Sequence, residues 1–183
     1  MRADRRGCEY QKPLALATDK LWHSRWSIET RRRHSMEDYN QLFVESYARV
    51  MGQGAYNPDV IGRFYDLFVG SSDTVADKFA STDMVLQKTM LHDSFTTLID
   101  FNAHRKPTEY MQRLAQVHGR SGNDIPPDLY ELWLESLIAV VETFDEEFSR
   151  DVELAWRLTL APGIAYLKFA YEHPQQQEPA PKR

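Results

Sequence analysis

Residues 113–120 read Arg113-Leu114-Ala115-Gln116-Val117-His118-Gly119-Arg120, and the rest of the chain is best read outward from them. Met111, Leu114 and Val117 recur at every third residue, and Leu114 stands one turn before His118. At helical periodicity the imidazole therefore shares a face with large apolar side chains rather than with water. Gly119, Gly122, Pro126 and Pro127 forbid helix beyond it. A histidine so placed has two uses. The commoner is an ordinary core histidine satisfied by a neighbour. The other is an axial ligand to a haem iron, which needs a neutral imidazole in an apolar cleft. The local pattern alone favours the first.

The segments before and after His118 are helical as well. Ser35 caps a helix whose apolar side is Leu42, Phe43, Tyr47 and Val50, and Gly52 and Gly54 end it. Asn57-Pro58-Asp59 opens a second, with proline at the first helical position, carrying Val60, Ile61, Phe64, Tyr65, Leu67 and Phe68. A short piece follows from Thr74 to Phe79. Thr82-Asp83 then caps a long helix to about Asn102, with Met84, Gln87, Leu91, Ser94, Phe95 and Leu98 along one stripe. The helix of His118 runs from Thr108. The next, Asp128 to about Phe148, carries Leu129, Trp133, Leu137, Val140, Val141 and Phe144. The last, about Asp151 to Tyr171, carries Leu154, Leu158, Ile164, Leu167 and Phe169, with a kink expected at Pro162-Gly163. No segment alternates with period two over a useful length, so the chain reads as all-α, with about seven helices. The divisions are an N-terminal extension over 1–35, a helical domain over 36–172 and a Gln/Pro/Glu-rich tail over 173–183, expected to be disordered.

Composition narrows the function classes. The 183 residues suffice for one core, and 42% apolar with 27% charged residues is an ordinary globular balance. A net charge of −5 argues against a phosphate-backbone partner, so the run Arg31-Arg32-Arg33-His34 beside Trp22 and Trp26 reads as solvated arginines near docked indoles rather than a nucleic-acid arm. Cys8 is the single cysteine, which rules out an internal disulfide or a cysteine-built metal site. No run approaches the ~20 apolar residues of a membrane span, and Met1–Cys8 leads into no signal-peptide core. The expectation is a cytoplasmic protein with neither membrane nor nucleic acid as partner.

Three features on three apolar helices complement one another: His118, the polar Gln87 in its stripe, and Tyr65 among Phe64, Phe68 and Ile61. Singly they are ordinary core or rim residues. Jointly they offer one metal ligand and two hydrogen-bond donors, an inventory suited to holding a diatomic gas at an iron. Here the sequence resembles the bacterial globins, in the lineage of flavohaemoglobins, single-domain globins and globin-coupled sensors, over residues 40 to 172. Leu42 to Val50 is similar to that family's opening helix, and Phe64-Tyr65-Asp66-Leu67-Phe68 to its second. Arg113-Leu114-Ala115 before His118, with Pro127 and Tyr130 beyond, resembles its iron-ligand motif, and Trp156 with Pro162-Gly163-Ile164 its last helix.

The resemblance implies a globin fold around haem b, with His118 as the iron's protein ligand. It implies Tyr65 and Gln87 as donors on the opposite face, Phe79 stacked on the haem, and Leu91, Leu114 and Tyr130 as further haem contacts. Dioxygen, nitric oxide or carbon monoxide would be the ligand. The segment from His118 to Tyr130 is about two residues longer than the family pattern. Glu172 is the nearest match to a glutamate that tunes the histidine in flavohaemoglobins, but out of register. The extension resembles that of sensor globins, and neither a transmitter nor a reductase domain is expected.

Three functions remain open. The first is reversible binding or sensing of dioxygen or another diatomic gas. The second is a nitric oxide dioxygenase served by a separate reductase as redox partner. The third is a haem-free globin-like module that binds only proteins, with His118, Phe79, Tyr65 and Gln87 as plain core. His92, five residues past Gln87, points well around the helix and becomes an iron ligand only if the register slips. His104, His23, His34 and His173 read as solvated. Lys88, Arg113 and Arg120 are within reach of a haem propionate on sequence grounds. Apolar residues on more than one side of the penultimate helix (Trp133, Leu134, Leu137, Ile138) fit either a homodimer or a filled core.

Overall fold

The structure, a computed structural model, describes residues 35–52 and 56–174. The expected extension with Trp22, Trp26 and the arginine run, and the tail beyond residue 174, lie outside the described residues. Seven α-helices and no strand occur among the described residues: α1 Met36–Met51, α2 Pro58–Val69, α3 Asp73–Phe79, α4 Met84–His104, α5 Glu109–His118, α6 Leu129–Phe144 and α7 Arg150–Glu172.

The starts are where the capping residues place them. Ser35 and Asp38 form a reciprocal capping box, each side chain bonded to the other's main-chain N–H. Asn57 caps α2 ahead of Pro58, Ser72 caps α3, Asp83 caps α4, Thr108 caps α5 and Ser149 caps α7. Asp128 makes no such bond at the start of α6. That helix is held instead by burial, with Leu129, Tyr130, Leu134, Leu137, Ile138, Val140 and Val141 all in the core. A helix apolar on several sides belongs inside. Of the four residues that fit either a homodimer or a filled core, Leu134, Leu137 and Ile138 are buried in the chain's own core and Trp133 is partly buried against it.

α7 is the other organiser. It packs on α1, α4, α5 and α6, while α2 lies against α6. Its inward face is Val152, Ala155, Trp156, Leu160, Gly163, Ile164, Leu167 and Ala170. Leu154 and Phe169, expected on that face, are 39% and 48% exposed. α7 continues as helix through Pro162, where a kink was expected. Gly163 brings α4 close, since a Cβ there would stand 2.4 Å from Leu98 Cδ2.

α6 stops at Phe144 rather than near Phe148, because Asp145 turns inward to a polar knot. Ser46 Oγ donates to its carboxylate at 2.5 Å, Arg49 Nε donates at 2.5 Å and the Glu147 N–H at 3.0 Å. Trp156 Nε1 donates to Ser46 Oγ at 2.8 Å. Burial would raise the Asp145 pKa, but the Arg49 and Ser46 bonds outweigh it and hold the carboxyl below its usual range. The knot joins α1, the α6–α7 turn and α7, and none of its residues lines the cavity described next.

Candidate functional site

That cavity lies between α2, α3, α4, α5, α6 and α7, and its empty space, open mouth included, is ≈ 800 Å³. Tyr65, Phe79, Gln87, Leu91, Leu114, His118 and Tyr130 all line it. Seven residues drawn from five helices, spread over 65 positions of sequence, therefore face one space. Trp133, Ile125, Val75 and Leu98 complete much of the apolar wall and were not singled out as site residues from sequence. Their position depends on how the helices cross, which no single stripe reveals.

His118 comes to the wall because of helix geometry. At ~100° per residue, His118 falls ~20° from Met111 and Ala115 ~40° from it, whereas Val117 falls ~120° away. Met111 and Ala115 are accordingly buried, and Val117 is 43% exposed. The three-residue spacing that first marked the face overstated Val117, while the seven-residue spacing to His118 carried the true direction.

The imidazole Nδ1 is 3.0 Å from Tyr130 Oη. Burial lowers the pKa of His118 to about 4, so the ring is neutral at pH 7. A neutral ring has one N–H. When it sits on Nδ1 and Tyr130 accepts it, Nε2 keeps its lone pair for the cavity, the arrangement an axial metal ligand requires. Tyr130 is itself buried, which pushes its phenol far up and keeps it protonated. Glu172 is exposed at the end of α7, so a phenol rather than that carboxylate partners the ring.

A second polar pair stands on α2 and α4. Tyr65 Oη donates to the Gln87 main-chain carbonyl at 3.1 Å. Burial pushes its phenol up to about 12, so it remains a donor across the physiological range. Phe79 meets the Tyr65 ring edge-on at 5.8 Å and also the Phe68 ring at 5.8 Å. The wall here is aromatic, with one phenol and one amide as its polar handles.

The other residues weighed from sequence lie elsewhere. His92 is not in the lining; its Nδ1 is buried without a hydrogen-bond partner, and Tyr56 lies edge-on to its ring at 6.3 Å. Lys88 lines a neighbouring cleft with Asp66 and Met84. Arg113 is exposed. Arg120 lies over the Tyr171 ring, 4.6 Å from its centroid. The cation in the cavity lining is Lys78, which the sequence reading passed over. No cluster of three or more His, Cys, Asp or Glu able to hold a bare metal ion occurs among the described residues.

No protein-family model and no curated relative matches the chain. A solved Pseudomonas aeruginosa PAO1 protein, described as structurally highly homologous to a human haemoglobin, does. It is 30% identical, the match covers 73% of this chain and 98% of that one, and the TM-score is 0.65. The chain belongs to the globin family. Its all-α architecture is the globin fold, and the cavity occupies the heart of it. No helix of this globin, among the described residues, is long and apolar enough to cross a membrane.

Proposed function

We propose that this globin binds haem b through His118 and uses it to hold a diatomic gas, dioxygen first among them, for binding or sensing. The observation that carries the reading is the pairing of His118 with Tyr130 at the cavity wall. With the ring N–H on Nδ1 donating to Tyr130, it leaves one imidazole nitrogen for the cavity, in a ring that burial keeps neutral.

The residues fit the group. The cavity lining is mainly apolar and aromatic with a few polar groups among it, the character of a small-molecule or cofactor site. A lining whose His, Cys, Asp and Glu residues, among the described residues, reduce to one imidazole suits an iron that arrives inside its own macrocycle. Haem would supply an iron centre able to take a diatomic gas. His118 would hold it from α5, oriented by Tyr130. Leu91, Leu114 and Phe79 would pack on it and exclude water. Tyr65 and Gln87 would offer hydrogen bonds to a polarised gas. Tyr65 must turn its O–H away from the Gln87 carbonyl to do so, so ligand and main chain compete for that proton.

The same scaffold is compatible with a nitric oxide dioxygenase working with a redox partner. One observation favours binding over turnover: among the described residues His118 Nδ1 is partnered by the Tyr130 phenol rather than by the carboxylate that the flavohaemoglobin resemblance sets against the histidine, and Glu172 lies exposed. The lineage within the globins, the cytoplasmic location and the division into extension, globin domain and tail belong to this proposal as well.

The test is spectroscopic. Purified protein should take up one haemin, show a Soret band, and lose or shift it in His118→Ala. Colourless protein that takes up no added haemin would leave the haem-free interaction module as the reading. Optical titration with dioxygen, carbon monoxide and nitric oxide then identifies the ligand. Sustained nitrate formation with a physiological reductant would move the assignment to the dioxygenase.

A further inference from the structure

A haem has an apolar body but two propionate carboxylates on one edge, and a carboxylate left at an apolar wall without a partner is costly. Lys78 supplies a cation in the cavity lining. It stands next to Phe79 near the end of α3, and its ammonium reaches across to the loop that follows α5. It donates to the Asn123 carbonyl at 3.0 Å and to the Asp124 carbonyl at 2.7 Å. Both acceptors are neutral dipoles. The Asp124 carboxylate is turned the other way, accepting from Tyr171 Oη at 2.8 Å. An ammonium has three donors, so two carbonyls do not exhaust it, and an anion is its better partner.

The loop it holds is the one behind His118. The Ile125 N–H donates to the His118 carbonyl at 2.9 Å, Asn123 N–H to Val117 O at 2.7 Å and Asp124 N–H to Gly119 O at 3.0 Å. Asp124 adopts a left-handed backbone, φ 50°. Gly122 comes so close to Val117 that a Cβ would stand 2.3 Å from its carbonyl oxygen. The loop is thus folded tightly onto the end of α5, and Lys78 ties α3 to it across the cavity.

We propose that Lys78 is the recognition point for the anionic edge of the haem, giving up the Asn123 and Asp124 carbonyls for a propionate carboxylate on uptake. This rests on the haem reading above. The stem of Lys78 would stay on the apolar wall while its head changes partner, as long cationic side chains do.

The experiment compares haemin with haemin dimethyl ester, which has the same body without the charges. Wild type, Lys78→Met and Lys78→Arg are each reconstituted with both, and transfer to an excess of a haem-scavenging protein is timed. In wild type the ester should leave roughly 3- to 10-fold faster than haemin, the range of a partly exposed, charge-assisted pair. In Lys78→Met the ratio should fall to about one, and Lys78→Arg should keep it. The same ratio in wild type and Lys78→Met overturns the proposal. Wild type that takes up neither compound overturns the haem reading beneath it, a separate and visible outcome.

Discussion

Gly163→Ala puts the crossing of α4 and α7 to a quantitative test. The added Cβ would lie 2.4 Å from Leu98 Cδ2, but 3.5 Å from Leu98 Cα and Cβ. Main-chain separation is therefore already adequate, and the conflict is with one methyl, which sits more than ~1 Å inside ordinary carbon contact. Leu98 is 3% exposed and cannot swing outward. The space open to it is the cavity it lines together with Ile164.

Overpacking of this kind costs about 1–3 kcal/mol. Replacing a mid-helix glycine returns about 1 kcal/mol. The net expectation is a loss of about 1 kcal/mol, or about 3 °C in Tm for a chain of this length, with weakened haemin uptake because Leu98 is pushed into the site. Urea melts of wild type, Gly163→Ala, Leu98→Ala and the double variant make the cycle. Leu98→Ala alone should cost about 2–5 kcal/mol, and in that background Gly163→Ala should become stabilising. Additive effects, or a stabilising Gly163→Ala with Leu98 in place, would refute the steric account.

Tyr65→Phe removes a donor worth about 1.5–3 kcal/mol to a charged or strongly polarised acceptor, so gas dissociation should quicken roughly tenfold or more; an unchanged off-rate in flash photolysis would remove Tyr65 from ligand control. Asp145→Ala strands the buried Ser46 hydroxyl and leaves Arg49 with Glu147, and should cost about 1–3 kcal/mol in urea melts; a loss well below about 1 kcal/mol would show the knot to be incidental. Acid should unfold the haem-free protein partly through His118. Its folded pKa of about 4 lies below the ordinary 6.5, so the unfolded chain binds the extra proton between those values, and stability falls as pH drops from 6.5 to about 4. The full effect is about 3 kcal/mol. His118→Leu should flatten that window, and parallel pH profiles for the two proteins would count against a buried neutral imidazole.

The helices could be read from sequence because their signals are local. Ser35, Asn57, Asp83 and Thr108 cap within their own first turns, and each start is where that side chain places it. The long end assigned to α6 fails for a nonlocal reason: Asp145 is drawn inward by Ser46 and Arg49, about a hundred residues earlier. Leu154 and Phe169 are apolar but fall outside the α7 stripe, so hydrophobicity without phase misplaced them. The wall positions of Tyr65, Gln87 and His118 were legible because each stands on an apolar face of a helix, whereas that of Phe79 came only from the resemblance to the globins. Lys78 was not, since a lysine in a short helix looks like any solvated cation until the loop at 123–124 is folded beside it.

What the structure adds at the site is a difference between its two polar pairs. His118 and Tyr130 bond side chain to side chain, with Tyr130 buried and His118 half-buried on a short helix whose following loop is folded back on it. That pair sets the direction of the second nitrogen. Tyr65 and Gln87 are joined instead by a hydroxyl and a main-chain carbonyl, a bond the phenol can give up by rotating its O–H. The rigid pair suits attachment and the adjustable pair suits discrimination. On the proposed function, a gas that accepts a hydrogen bond would have to win the Tyr65 proton from Gln87, whereas one that does not accept would leave that bond intact. Carbon monoxide, the weaker acceptor, should therefore lose less than dioxygen when Tyr65 becomes Phe, and equal losses for both gases would place the selectivity somewhere other than this bond.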